Sequence, residues 1–485
     1  MQLQECINRC VRFGKRSSSS FQCLGAWVSD RGSVVIACRS TVGCPASSIF
    51  IAVTLLGGEM DNPGRYDGVR SLGPDFTLLV HSHWRWDLGE RRSQQILARL
   101  AKRHPVLFVE EPGFAAAGTS GCLDLSEVHP NVLRVTPQLP AHCRHARDAT
   151  RLRVRALLQN FWAAAGRGRR CVQWFCTPQP APVMLGRFNE VGVVYDCTAD
   201  LSRLDAGPAE WAQREAHLLR AADVVLTSGH QLHRAKAQQH PNTHYCGCGV
   251  DAAHFHAARV PDTALPADID FIRGSILGYC GIIDARLDYD LLQRLAQARP
   301  DWSVVMIGPL VGVEPAMLPQ LENLYWLGPR GYDELPAYIK AFDVCLMPYA
   351  LTAATEHLNP VEALEYLAAG KPVISTALSE VIHEFAPVVQ VAHGHAEFVH
   401  LAREALQRPD PERLAAGLAR AQAASWHAVV QQVQQRLYTA LGTKLAAAMC
   451  AQAGQGPGIA WEGTAGTCPP SGLAPATEPA GRLRR

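Results

Sequence analysis

Apolar strand-like runs alternate with amphipathic helical segments along most of this chain, predicting an α/β protein with two Rossmann-like, doubly wound domains facing a central cleft. Three observations carry that expectation. The strand-like runs are continuously apolar, as strands covered on both faces must be. They fall into two series, parted at 252–274 by a polar segment containing Pro261 and Pro266. The composition, 48% apolar and 19% charged over 485 residues, is that of a globular protein large enough for two or three cores.

Taken in order, residues 1–70 hold a serine run (Ser17 to Ser20) and five cysteines, Cys6, Cys10, Cys23, Cys38 and Cys44. They show no sustained period of 2 or 3.6 and no signal-peptide pattern, so an N-terminal extension without a fold is expected, with Met60 an alternative start. The first domain should span 75–252. Its strands read at 76–80, 106–109, 171–175, 191–195 and 224–227, and its helices at 92–103, 150–164, 209–222 and 230–239. The second domain should span 270–445, with strands at 276–280, 304–307, 324–327, 344–347 and 373–375. Residues 451–485, rich in Gly, Pro and Ala, read as a disordered tail.

Several function classes lose support at once. A formal net charge of +2 makes no case for nucleic acid. No apolar run reaches the 18 or so residues of a membrane-spanning helix. Of the sixteen cysteines, five lie in the first 44 residues and most others sit inside apolar strand-like runs, such as Cys171, Cys176, Cys280 and Cys345, so they read as buried free thiols. Cys246-Gly-Cys248 lacks a second pair at zinc spacing, so no metal site and no cofactor is expected. Arg214, Arg220 and Lys236 could face anionic lipid, but a solvated helix surface explains them better.

The candidate site residues sit where ligands of doubly wound sheets bind, at the carboxyl ends of strands. Asn359 reads as an N-cap, Pro360 and Val361 as a first helical turn, and Glu362 as the reciprocal acid of a capping box. Gly370 and Pro372 stop that helix. A helix N-terminus rising from a parallel sheet receives phosphate, and Glu365 could accept hydrogen bonds from a sugar diol. After the strand at 276–280, Gly281 lets backbone approach a ligand and Arg286 could hold a diphosphate bidentately. There is no G-x-G-x-x-G, which weakens a nicotinamide reading. In the first domain His83, Arg85, Asp87 and Arg92 follow the first strand, and Asp196 ends Val193-Val-Tyr-Asp. Asp87 and Asp196 are the catalytic candidates there; His83, Arg85 and Arg92 are the acceptor or cleft candidates. Trp84 and Trp86 could stack on a sugar or belong to the core.

The same residues resemble a known family. Glu365-Tyr-Leu-Ala-Ala-Gly-Lys-Pro-Val-Ile-Ser-Thr is similar to the E-A-M-A-A-G-x-P-V-V segment of retaining GT-B glycosyltransferases of the group 1 or family 4 class. Gly249-Val-Asp251 with Phe255, and Asn323-Leu-Tyr-Trp-Leu-Gly328 followed by Leu335-Pro336 and Ala341-Phe-Asp343, match further segments in order. Ser82-His-Trp-Arg-Trp-Asp87 with Arg92 resembles a motif of a subgroup linked to cell-surface polysaccharide assembly. The resemblance covers roughly 75–425. It implies GT-B architecture and metal-independent transfer, with retention, from a nucleotide-diphosphate sugar to a glycan or lipid-linked acceptor. It also implies a cytoplasmic protein with peripheral contact at the inner face of a membrane, and Glu365 on the nucleotide ribose. The chain departs from the pattern twice. His357 stands where the family commonly has a glutamate, and Glu362 where the subgroup tends to have lysine. Two alternatives follow: a non-catalytic GT-B module binding a glycan or partner enzyme, or a nucleotide-sugar epimerase.

Overall fold

The computed structural model describes residues 76–87, 92–115, 121–145, 147–164, 170–199 and 208–453, with backbone alone at 115, 208 and 445–453. It also describes the backbone of three N-terminal strands, β1 (Phe21–Val28), β2 (Val34–Ser40) and β3 (Ser48–Val53). These form an antiparallel sheet in the order β1-β2-β3. The first 70 residues, expected to lack a fold, therefore contain paired strands. In the register of β2 with β3, Ile36 is paired with Ile51 and Val34 with Val53. The rest of 1–70 lies outside the described residues, as does the expected tail beyond Ala453.

The first large sheet comprises β4 (Phe76–His81), β5 (Val106–Val109), β6 (Gly113–Ala115), β7 (Cys122–His129), β8 (Val132–Pro140), β9 (Arg170–Phe175), β10 (Glu190–Cys197), β11 (Val224–Thr227) and β12 (Thr243–Tyr245). Its order is β12-β11-β10-β9-β4-β5-β8-β6, and every pairing is parallel except that of β7 with β8. Helices α1 (Arg92–Leu100), α2 (Arg147–Ala164), α3 (Pro208–Ala221) and α4 (His230–Ala237) connect or cover these strands. Strand order reverses between β4 and β9, which opens a crevice at their carboxyl ends.

The second sheet runs β15-β14-β13-β16-β17-β18 and is wholly parallel. Its strands are β13 (Ser275–Cys280), β14 (Trp302–Ile307), β15 (Leu324–Gly328), β16 (Val344–Met347), β17 (Val373–Thr376) and β18 (Gln390–Ala392). Helices α5 (Tyr289–Ala298), α6 (Leu335–Ala341), α7 (Glu362–Ala368), α8 (Ser379–Phe385), α9 (His395–Gln407) and α10 (Pro411–Ala423) follow the strands. Here the reversal lies between β13 and β16. Every residue of β14, β16 and β17 is buried, as in strands covered on both faces, and the side chains are apolar apart from Ser303, Ser375 and Thr376.

Two chain crossings join the domains, at 246–251 and 424–426, and they touch. The Val250 amide donates to the Ala424 carbonyl at 2.8 Å. Gly249 lies so close that a Cβ there would stand 2.7 Å from the Trp426 nitrogen. Just beyond, Asp251 accepts from the His254 amide at 3.1 Å and starts a helical turn. After the second crossing α11 (Trp426–Ala453) returns to the first domain. Its Trp426, Val429, Val430, Val433, Leu437 and Leu441 share a core with Phe76, Leu78, Ile96 and Leu97. The span 270–445 expected for the second domain thus includes a helix that completes the first. Both domains lie in one compact unit ending at Lys444; Leu445–Arg485 forms a separate unit. Among the described residues no helix is long and apolar enough to cross a membrane.

Candidate active site

In the second domain the site is built on the ends of β13 and β16. The Tyr366 hydroxyl takes the Cys280 amide at 2.8 Å and reaches the Cys280 carbonyl at 3.1 Å. This pins α7 to the end of β13 and carries Glu365, the preceding residue, to the switch point. Glu365 is half-buried, and its carboxyl is pushed up to about 8, first by burial and then by the negative charge of Glu362. Glu362 lies over the loop after β13: a Cβ on Gly281 would come within 3.0 Å of Glu362 Oε1. Arg286 is gripped by Asp284, with Nε at 3.0 and 2.9 Å from the two carboxylate oxygens and Nη2 at 2.8 Å. Burial works against the guanidinium's charge, but the Asp284 contacts outweigh it and raise its pKa.

The capping expectation at Asn359 needs correction. The helix starts at Glu362 with Val361 as its helical N-cap, and no side chain caps it. The first amides turn back instead, Ala363 to the Pro360 carbonyl at 3.4 Å and Leu364 to the Val361 carbonyl at 2.9 Å. Asn359 is thereby released to the other domain. Its Nδ2 donates to the Ser228 carbonyl at 2.8 Å and to Glu384 Oε2 at 3.0 Å. Pro360 is buried, and Val361 packs against the core of the first domain. His357 is buried in the same loop, and Glu356 is exposed.

In the first domain the predicted residues separate. Ser82 makes a tight turn, its hydroxyl taking the Trp84 amide at 3.0 Å and donating to the Trp84 carbonyl at 2.9 Å. His83 is half-buried and tilted against Trp84, their ring centres 4.9 Å apart, while Arg85 is exposed. Trp86 presents its edge to Phe108 at 5.0 Å, and buried Glu110 accepts its amide at 2.7 Å, so this tryptophan belongs to the core. Asp87 is exposed at the rim and pairs with Arg134. Arg92 and Asp196 do come together, as a buried ion pair beneath the first crossing. Arg92 also donates to the Cys246 carbonyl, from Nη2 at 2.8 Å. Asp196 is fully buried, and its second oxygen has no hydrogen-bond partner among the described residues.

Sequence reasoning missed the acids of α8. Glu384 accepts from the Tyr245 hydroxyl at 2.9 Å and from Arg420 at 2.9 Å, besides Asn359. The available signal was a pair of glutamates four apart on a helix that also carries Val381 and Phe385. Among the described residues no group of His, Cys, Asp and Glu has the form of a metal site.

Residues 287–422 match the model of the family described as glycosyl transferases group 1. A Bacillus subtilis (strain 168) protein provisionally named as the teichuronic acid biosynthesis glycosyltransferase TuaH is 28% identical over 245 residues, 47% of this chain. The match spans 61% of that relative's length. Among solved structures, sucrose-phosphate synthase from Thermosynechococcus elongatus superposes with a TM-score of 0.58 at 16% identity, over 76% of this chain and 99% of that one. A trehalose-6-phosphate structure from E. coli bound with UDP-2-fluoro glucose gives 0.55 at 14% identity, over 75% and 99%. The chain has the GT-B glycosyltransferase fold. Within this GT-B frame the matched group 1 segment holds Asn359, Glu362 and Glu365, and begins one residue after Arg286.

Proposed function

We propose that the protein is a metal-independent, retaining glycosyltransferase that moves a sugar from a nucleotide-diphosphate donor to a glycan or lipid-linked acceptor. The observation that carries this reading is Glu365: a half-buried carboxyl raised to about 8, fixed at the β13–β16 switch point inside the matched group 1 segment. Up to that pH it keeps its proton, so it can both donate to and accept from a ribose diol. The UDP-2-fluoro glucose bound in the E. coli neighbour supports a nucleotide-sugar ligand, and the name of the Bacillus relative supports a cell-surface polysaccharide product. Retention rests on the family resemblance.

In this mechanism Gly281 lets the diphosphate approach the chain, and Arg286 meets the negative charge that grows on the leaving group. Asn359, Pro360 and Val361 shape the donor loop from its contact with the first domain. His83, Arg85 and Asp87, at the β4–β9 switch point, face the acceptor. Asp196 acts through Arg92, by holding the floor beneath the crossing. Domain contact aligns the acceptor hydroxyl with the anomeric carbon and excludes water. The enzyme works in the cytoplasm, with peripheral contact at the inner face of the membrane when its acceptor is lipid-linked. Glu362, placed over Gly281, favours one rival, a non-catalytic glycan- or partner-binding module.

A thermal-shift screen of the purified chain against UDP-, GDP-, ADP- and dTDP-sugars tests the reading. A rise in Tm with one nucleotide class, followed by sugar transfer to an added acceptor, is expected. No shift at millimolar ligand would favour the non-catalytic module. Isomerisation of the donor sugar, with no transfer, would favour the epimerase.

A further inference from the structure

Helix α8 of the second domain carries Glu380, which is fully buried. Among the described residues its carboxylate makes no ion pair. It is satisfied by backbone of the other domain: Oε2 accepts from the His230 amide at 2.8 Å and Oε1 from the Gln231 amide at 2.6 Å. These amides open α4, whose own N-cap is Gly229, a residue with no side chain to offer. The absent side chain is also what admits the carboxylate, because a Cβ on Gly229 would stand 2.7 Å from Glu380 Oε1. A helix N-terminus leaves unpaired amides that a carboxylate satisfies well. Here the cap comes from another domain.

The contact is continuous with the donor loop. Ser228, next to Gly229, accepts from Asn359 Nδ2 at 2.8 Å, and Asn359 lies in the loop that leads into α7 and Glu365. Residues 228–231 are therefore held on one side by Asn359 and on the other by Glu380. Separating the domains would remove the Asn359–Ser228 bond and the two charge-assisted bonds to Glu380, and leave the start of α4 uncapped.

We propose that Glu380 is a positioning residue for transfer: it caps α4 across the domain boundary and so sets the first domain in register with Glu365. The catalytic half of this statement rests on the glycosyltransferase reading; the cap itself does not. The test compares full-length wild type, Glu380→Gln and Glu380→Asp. Hydrogen exchange of the peptide spanning 229–233, followed by mass spectrometry, should be at least about tenfold faster in Glu380→Gln, with core peptides of β4 and β13 unchanged. With a donor and acceptor in hand, kcat should fall about tenfold or more while donor affinity stays within about twofold, with Glu380→Asp recovering part of the loss. Unchanged exchange at 229–233 in Glu380→Gln would overturn the proposal. So would donor affinity, kcat and Tm falling together, the pattern of a residue that only stabilises the fold. If wild type neither binds nor transfers a sugar, the functional reading fails, and the exchange experiment alone still decides the cap.

Discussion

Glu365 ties the site's chemistry to a measurable stability slope. Its native carboxyl titrates near 8 against an ordinary value of 4.5. Between those values the native state holds a proton that the unfolded chain has lost, so stability falls as pH rises, by up to about 1.4 kcal/mol per unit. Glu365→Gln should flatten the decline in Tm between pH 5.5 and 8 and weaken donor binding; an unaltered pH profile would remove the raised carboxyl. Because Glu362 contributes to that rise, Glu362→Gln should bring Glu365 down. It should also tighten diphosphate binding, by about tenfold if the charge faces the ligand, as isothermal titration would show. Arg92 makes the opposite case. Removing it leaves Asp196 buried without its cation, so Arg92→Ala should cost about 3–5 kcal/mol in chemical denaturation. Glu365 could be singled out as a candidate because its neighbours form a contiguous motif. The partners of Asn359 were not, because Ser228 belongs to the other domain and Glu384 to a later helix of its own domain, and only the folded arrangement brings them to it.

Elements buried on both faces were the most legible part of the fold. The strands at 106–109, 224–227 and 344–347 have the bounds their apolar runs indicate, because in a covered parallel strand every side chain enters a core. Strands β7 and β8 were not read. They form an antiparallel ribbon at the sheet's edge, where β7 is mostly half-exposed and mixes Asp124, Ser126 and Glu127 with its apolar residues. The start of α7 was misread because Asn359, Pro360 and Glu362 satisfy a capping pattern that local turn geometry overrides. Gly249, by contrast, sits in a motif whose structural reason is now visible: the two crossings pack backbone to backbone there. Gly249→Ala should push them apart and cost about 1–3 kcal/mol, measured as a lower midpoint in urea. A neutral result would mean that the crossings can separate without strain.

At the scale of the whole molecule, α11 makes the first domain depend on chain that follows the second. The sequence places its residues next to the second domain, and its helical pattern does not say which sheet they cover. That is decided by the crossing at 424–426, where Val250 binds Ala424 and directs the chain back. Trp426, Val429, Val430, Val433, Leu437 and Leu441 then close the face formed by β4 and α1. His104, stacked on Phe76 and 2.6 Å from the Tyr438 hydroxyl, adds a polar tie. Burial of that many large apolar side chains is worth on the order of 10 kcal/mol, comparable with the total stability of a domain. A chain ending at residue 424 should therefore lose far more than a tail. It should expose the β4–α1 face, bind a hydrophobic dye and lack a cooperative melt, although it retains every predicted donor-site residue. A chain ending at Lys444 should melt like the full-length protein. If the shorter chain instead melts cooperatively with an unchanged Tm, the first domain does not need the returning helix, and its apparent place in that core contributes little.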